Sequence, residues 1–340
     1  MASVDPTTRT AYGATNWESY SQGRPPYPAS LTEIIYAYRR QHADAQWNRL
    51  VDIGAGSGIA STNFMRDFKT IHNSDPSASN EAQARAFLPA WAAQHGLDPT
   101  FEYSQSTGED AHTKVGENET DLAICATAAH FIDPDGLVSS IGKILRPGGT
   151  MAVFSYWLPT FPGSSERLHD AFARMFEDVV LKKRERDSDE ATRAHAARAM
   201  ERRLVGRGAL DSVPLPEEVF EDPVRVYINP PVDGAVPYKG VFLKYWPAGP
   251  HTDGLDRVRV GERIVGYHTG TDPEADGWAF DVDKMWFVAF LNTFRSSDQK
   301  LSPEDPGEEL LGWERVFDEE CPTGKLRVVW TAYLVLGTRR

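Results

Sequence analysis

The residues best suited to chemistry begin at Asp52. An apolar run, Leu50-Val51-Asp52-Ile53, opens into a loop with glycines at alternate positions, Gly54, Gly56 and Gly58. Glycine tolerates positive φ and has no Cβ to hold a ligand off the main chain. A helix starting beyond such a loop offers free N–H groups. The loop is therefore suited to pressing backbone against a ligand; the plain alternative is a glycine-rich turn that holds nothing. A dinucleotide loop needs G-x-G-x-x-G, and the position of its third glycine is Ile59 here. An acid at Asp52 suits a cationic ligand and would repel a pyrophosphate.

Further candidates lie beyond the loop. Asp75 closes the run Thr70 to Ser74, where a carboxylate can accept both hydroxyls of a ribose; a turn or helix N-cap is the alternative for an Asp-Pro-Ser sequence. Pro76 is placed to lie against an adenine face. Glu109 and Asp110 come after a third run, and an acid there can accept from an adenine amino group or simply be solvated. Ala126 ends a fourth run, where free carbonyls can receive an ammonium. His130 comes next, the one group here that titrates near neutrality; it reads as a packing residue or as a base.

These residues need an open sheet to position them. Arg49 to Ile53, Thr70 to Ser74, Phe101 to Gln105, Asp121 to Ala126 and Thr150 to Tyr156 read as strands one to five, with helices between. That alternation is the pattern of a doubly wound parallel sheet, which binds ligands beyond the carboxyl ends of its strands. Ser30 and Glu33 form a capping box for a first helix carrying Leu31, Ile34, Ile35 and Tyr38. A helix carrying Ile59, Phe64 and Phe68 is expected after the glycine loop, and one over residues 80 to 95, broken near Pro89 and stopped by Gly96. Asp133-Pro134 caps a helix facing the sheet with Leu137, Ile141, Ile144 and Leu145.

Four regions are expected: residues 1–28 as a proline-rich wrap, 29–160 as the α/β core, 161–295 as an inserted cap, and 296–340 as a last helix and strand. The cap carries a charged helical stretch with Lys182-Lys183-Arg184-Glu185-Arg186, a core strand at Val224 to Ile228, and β-like runs at Val241 to Leu243 and Val258 to Val260. Met285 to Phe294 is an apolar helix whose aromatics can line a pocket. Phe131, Tyr156, Trp157, Trp286 and Phe290 are the candidates for an acceptor wall.

The net charge of −13 argues against nucleic-acid and anionic membrane surfaces. No apolar run is long enough to span a bilayer. Cys125 and Cys321 lie far apart, and no secretory leader is visible, so a cytoplasmic protein is expected. HExxH, CxxC and G-x-S-x-G are absent from the sequence, so zinc hydrolysis and serine-esterase chemistry find no motif, and no metal site is expected.

Asp52-Ile53-Gly54-Ala55-Gly56-Ser57-Gly58 resembles motif I of class I S-adenosylmethionine (SAM) methyltransferases. More narrowly, the chain resembles the fungal and yeast trans-aconitate methyltransferase-like group. It does so through Arg24-Pro25-Pro26-Tyr27-Pro28, Ser74-Asp75, Ala129-His130-Phe131-Ile132-Asp133, Phe161-Pro162 and the closing Val328 to Arg339. The cap region, residues 163 to 290, matches poorly, so the group's substrate does not carry over. The resemblance implies a Rossmann-like core binding SAM and releasing S-adenosylhomocysteine. Asp52 and the glycines would hold the methionine end, Asp75 the ribose, and Glu109 or Asp110 would lie near adenine. Tyr20 and Arg24 would belong to the wrap, with Arg24 paired to the SAM carboxylate. The implied reaction is methyl transfer to O, N or S of a small metabolite by a monomer or homodimer, His130 serving as base where the acceptor must lose a proton. A SAM-binding protein without transfer, and a nucleotide-dependent oxidoreductase, are the alternatives.

Overall fold

In the computed structural model, which describes residues 20, 22–42, 45–182, 190–231, 234, 236–246, 254–294, 301 and 308–340, the first five apolar runs become parallel neighbours. They are β1 (Arg49–Ile53), β2 (Thr70–Ser74), β3 (Thr100–Ser104), β4 (Thr120–Ala126) and β5 (Leu145–Thr160). Leu122 to Cys125 of β4 are fully enclosed, as a parallel strand covered on both faces must be. Later strands are β6 (Phe220–Ile228), β7 (Arg263–Tyr267), β8 (Ala279–Val282) and β9 (Leu326–Arg339). The sheet order is β3-β2-β1-β4-β5-β9-β6-β7, with β8 on β9. β9 runs antiparallel to β5, β6 and β8. The winding reverses between β1 and β4, which opens a crevice beyond their carboxyl ends. The fold is a Rossmann-like α/β sheet.

The main helices are α1 (Ala29–Arg39), α2 (Ala78–Gln94), α3 (Pro134–Ile144), α4 (Glu166–Phe176), α5 (Glu190–Leu204), α6 (Lys284–Asn292) and α7 (Glu308–Glu320). Asp133 caps α3 by accepting the Gly136 amide at 2.9 Å. Leu137, Ile141 and Ile144 are fully buried below it. No described helix is long and apolar enough to cross a membrane.

Several local expectations are corrected. α1 starts at Ala29 without a side-chain cap; the Ser30 hydroxyl instead donates to the Asp276 carbonyl at 2.6 Å. No α-helix comes after the glycine loop, only the 3₁₀ segment Ala60–Asn63. There the Ser61 hydroxyl turns to Asp52 and Thr62 Oγ1 takes the Ile59 carbonyl, diverting groups a helix would use. α2 runs through Pro89 unbroken. The carbonyl that loses its bond belongs to Arg85, and both residues are exposed to water. Val241 to Leu243 lies in a short helical turn, not a strand, with Phe242 buried against Trp157. Val258 to Val260 is also not a strand: Arg259 pairs with Glu262 and Glu217, and pairing begins only after Gly261, at Arg263. Residues 161–295 therefore supply β6, β7 and β8 to the sheet as well as covering helices. Residues 1–19, 21 and most of the basic run after Lys182 lie outside the described residues.

Candidate functional site

Three left-handed glycines line the crevice in succession, with φ of +68° at Gly54, +58° at Gly56 and +80° at Gly58. A Cβ on Gly54 would lie 2.6 Å from the Ala128 Cβ, and one on Gly58 2.9 Å from Asn73 Oδ1. The loop thus needs glycine for both its conformation and its closeness. Asp52 is fully enclosed beneath it. Oδ2 accepts from Ser61 Oγ at 2.8 Å, while Oδ1 has no partner among the described residues. Burial, opposed by the Ser61 hydrogen bond and reinforced by the charge of Asp75, pushes the Asp52 carboxyl up to about 7. A dry carboxylate oxygen left without a donor is costly, and a ligand bearing a cation or donor relieves it. The crevice therefore fits the ammonium end of SAM.

Asp75 is buried just past β2. Oδ2 accepts the Gly56 amide at 2.9 Å, and Oδ1 accepts the Ser77 amide at 2.9 Å and Asn80 Nδ2 at 3.0 Å. Burial raises its carboxyl, against the pull of these three bonds. A carboxylate has about four acceptor positions, so one remains for a ligand hydroxyl. Ser77 rather than Asp75 caps α2. Pro76 lies between them, partly buried.

Glu109 and Asp110 diverge. Glu109 Oε1 accepts the Asp133 amide at 2.8 Å and so braces the start of α3. Asp110 is exposed, its Oδ2 3.3 Å from Thr107 Oγ1. The wall nearest the loop is apolar: a Cβ on Gly108 would lie 2.6 Å from Ile132 Cδ1. Ala126 ends β4. His130 is buried in the short 3₁₀ turn Ala129–Phe131, its ring 4.0 Å from that of Phe131.

The N-terminal segment lies flat on α6, where a Cβ on Gly23 would come 2.3 Å from the Ala289 carbonyl oxygen. The Arg24 guanidinium sits among rings, 4.2 Å from Phe294, 4.9 Å from Tyr20 and 5.5 Å from Phe290. Tyr27 bridges this segment to the crevice. Sequence reasoning passed over Tyr27 as a site residue; its place between Pro26 and Pro28 was the available signal.

The five acceptor candidates divide between two faces of β5, since successive side chains alternate. Tyr156 lies 5.3 Å from Trp330 and 6.1 Å from Tyr27. Trp286 lies 6.1 Å from Trp330 and stacks on Phe290 at 5.4 Å. Phe290 is fully enclosed, also near Phe176 and Trp330, which makes it core as much as wall. On the other face, Trp157 lies under the Arg203 guanidinium at 4.5 Å. Phe131 lies parallel to His195 of α5 at 5.7 Å. Arg203 also donates to the Tyr156 carbonyl at 2.9 Å, and Arg202 to the His130 carbonyl at 3.2 Å. Nothing in the charged run of α5 singled out these two arginines.

A separate open cleft of about 870 Å³ lies between α3 and residues 214–219 and 256–259, and contains none of these groups. Its size draws attention, but its arginines Arg257 and Arg259 are engaged by acids, as in Arg257 with Asp135 at 2.5 Å. The unsatisfied buried acid lies in the glycine crevice instead.

A sheet of this order with a glycine loop at its reversal defines a Rossmann-like α/β protein of the cofactor-binding kind. Residues 51–153 match the family described as Methyltransferase domain. The chain is 27% identical to methyltransferase ptaI of Pestalotiopsis fici, across 98% of this chain and 96% of that protein. It is 25% identical to methyltransferase cfoB of Aspergillus candidus, across 97% and 96% respectively. A solved structure described as a putative type II methyltransferase from Anaeromyxobacter dehalogenans shares the fold. It aligns at a TM-score of 0.51 and 17% identity, over 93% of this chain and 97% of that one. The domain match and the two fungal relatives, aligned along almost the whole chain, support a class I SAM-dependent methyltransferase. Neither fungal relative's name singles out the trans-aconitate group.

Proposed function

We propose that this methyltransferase methylates a nucleophilic oxygen, nitrogen or sulfur of a small metabolite, in secondary metabolism. The reading is carried by Asp52, a buried carboxylate with one oxygen lacking a partner among the described residues, set below three left-handed glycines. SAM, when bound, supplies a methyl group that is already activated. In this reading Asp52 receives the ammonium, the loop amides line the methionine end, Arg24 and Tyr20 approach its carboxylate, and Asp75 receives the ribose. Pro76 and Ile132 flank the adenine, whose floor Glu109 steadies by bracing α3, with Asp110 at the rim. Tyr156 and Trp286, on the face of β5 that Tyr27 also meets, wall the acceptor and exclude water, while Phe131 and Trp157 pack the opposite face under α5. His130 accepts the acceptor's proton where one must leave. The net charge of −13 supports a small-molecule partner over nucleic acid or an anionic membrane. We further propose a cytoplasmic monomer or homodimer.

The test is calorimetric titration of the purified chain with SAM. S-adenosylhomocysteine formation is then measured over a panel of small alcohols, acids, amines and thiols. Saturable one-to-one binding and then turnover are expected. No binding at millimolar SAM would remove the reading.

A further inference from the structure

Tyr27 is fixed at three points. Its carbonyl accepts from Asn63 Nδ2 at 2.9 Å, its ring meets Phe154 edge-on at 5.4 Å, and its hydroxyl lies 3.0 Å from Thr127 Oγ1. Asn63 lies just past the glycine loop and Thr127 just past β4. One residue of the N-terminal segment therefore joins both margins of the crevice, through its carbonyl on one side and its hydroxyl on the other. Thr127 meets it from a left-handed conformation, φ +53°, which β-branched residues seldom adopt. The turn is held by the Thr127 amide, which donates to the Phe154 carbonyl at 2.8 Å. The next residue, Ala128, presses against Gly54. Consecutive side chains thus leave this turn in two directions, a methyl toward the cofactor loop and a hydroxyl toward Tyr27. Such strain gathers at functional sites.

We propose that Tyr27 and Thr127 are the pair that holds the acceptor's attacking atom, and that this atom is a protic oxygen or nitrogen. The proposal rests on the methyl-transfer reading above. When two hydroxyls meet, one proton lies between them, and the other remains available with several lone pairs. Burial pushes the Tyr27 phenol well above its usual range, so the pair stays neutral and orients rather than deprotonates. An O–H or N–H acceptor can donate into a free lone pair of the couple, which fixes the direction of its own remaining lone pair. A thiol, a weak donor, gains much less. Transfer forms an O–CH3 or N–CH3 bond and breaks the S–CH3 bond of SAM. The acceptor's proton leaves to His130 or water, and Tyr27 and Thr127 end unchanged.

The probes are phenol, aniline and thiophenol, each with SAM, read by S-adenosylhomocysteine formation beside SAM calorimetry. Native protein should favour phenol or aniline over thiophenol, although thiolates are intrinsically the stronger nucleophiles. Tyr27→Phe, which keeps the ring packing, and Thr127→Val, which keeps the branched shape, should each lower kcat/KM for the favoured probe about tenfold or more. SAM affinity should stay within about twofold, and Thr127→Ser should recover most of the loss. Unchanged transfer in both variants, preference for thiophenol, or no transfer to any probe by protein that binds SAM overturns the proposal. So does a fall in SAM affinity or melting temperature that accounts for the whole loss, since that is what a packing role predicts. Absence of SAM binding in native protein removes this proposal and the methyl-transfer reading together, and is thereby told apart from the other failures.

Discussion

Asp75 Oδ2 accepts the Gly56 amide at 2.9 Å. The acid just past β2 therefore fixes the tip of the glycine loop, where φ is +58°. An acid proposed to receive a ribose thus also sets the shape of the surface that the rest of the cofactor would touch. The two tasks use different lone pairs of one carboxylate.

Asp75→Ala should accordingly cost more than one ligand hydrogen bond. Hydrogen bonds to charged groups contribute about 1.5–3 kcal/mol each. Losing the ribose contact and the loop tether together should weaken SAM binding at least about 100-fold. The fold should persist, because α2 keeps its Ser77 cap. Calorimetry beside circular dichroism checks this, and unchanged affinity would remove Asp75 from the ribose site.

Asp52 predicts a pH signature. Its carboxyl is raised from an ordinary 3.8 to about 7 by burial. Between those values the folded chain keeps a proton that the unfolded chain has released. Stability of the ligand-free protein should therefore fall as pH rises from about 4 to about 7, by a few kcal/mol at most at ~1.4 kcal/mol per unit. SAM affinity should move the other way, rising several-fold between about pH 6 and pH 8 as the ionised form becomes available to an ammonium. Asp52→Asn should flatten both curves. A native affinity that is level across this range would mean that Asp52 does not meet the cation.

The five parallel strands and α3 were legible in the sequence because each rests on a local signal. β4 is a continuous apolar run, and Asp133-Pro134 is a helix start. The glycine loop was legible because positive φ in close quarters admits little else. The 3₁₀ segment Ala60–Asn63 beyond it was not. Whether Ser61 turns outward or back to Asp52 depends on burial, which appears only when β2 and Asn73 close over it. α2 ignores Pro89 because the affected carbonyl faces water. β7 was hidden because it is a partly exposed edge strand without an apolar run. Tyr27 and Thr127, a hundred residues apart, share no pattern that one sequence can display. Arg202 and Arg203 look like their solvated neighbours until α5 is laid over β4 and β5.

His130 predicts a division between chemistry and binding. His130→Ala should slow methyl transfer to a hydroxyl or amine about 100-fold, as loss of a general base does, with SAM affinity within about threefold. Single-turnover rates, set against calorimetry, test it. Equal rates would leave His130 as a buried packing residue beneath α5.

Arg203 predicts how that helix is held. Its guanidinium donates to the Tyr156 carbonyl and covers Trp157, while Arg202 reaches the His130 carbonyl and lies 3.9 Å from Asp133. α5 is thus fastened at the exits of both β4 and β5. Arg203→Met keeps most of the apolar stem but loses the donor and the cation over the ring. Together these are worth about 1–2 kcal/mol, so amide exchange across residues 190–204 should quicken roughly tenfold. Exchange in β1 and β4 should stay as it was, and SAM affinity with it, since none of the cofactor groups rests on α5. The KM for an acceptor should rise more than kcat falls if the helix closes the acceptor side. Unaltered exchange in α5 would mean that the stack of Phe131 on His195 holds the helix without help from Arg203.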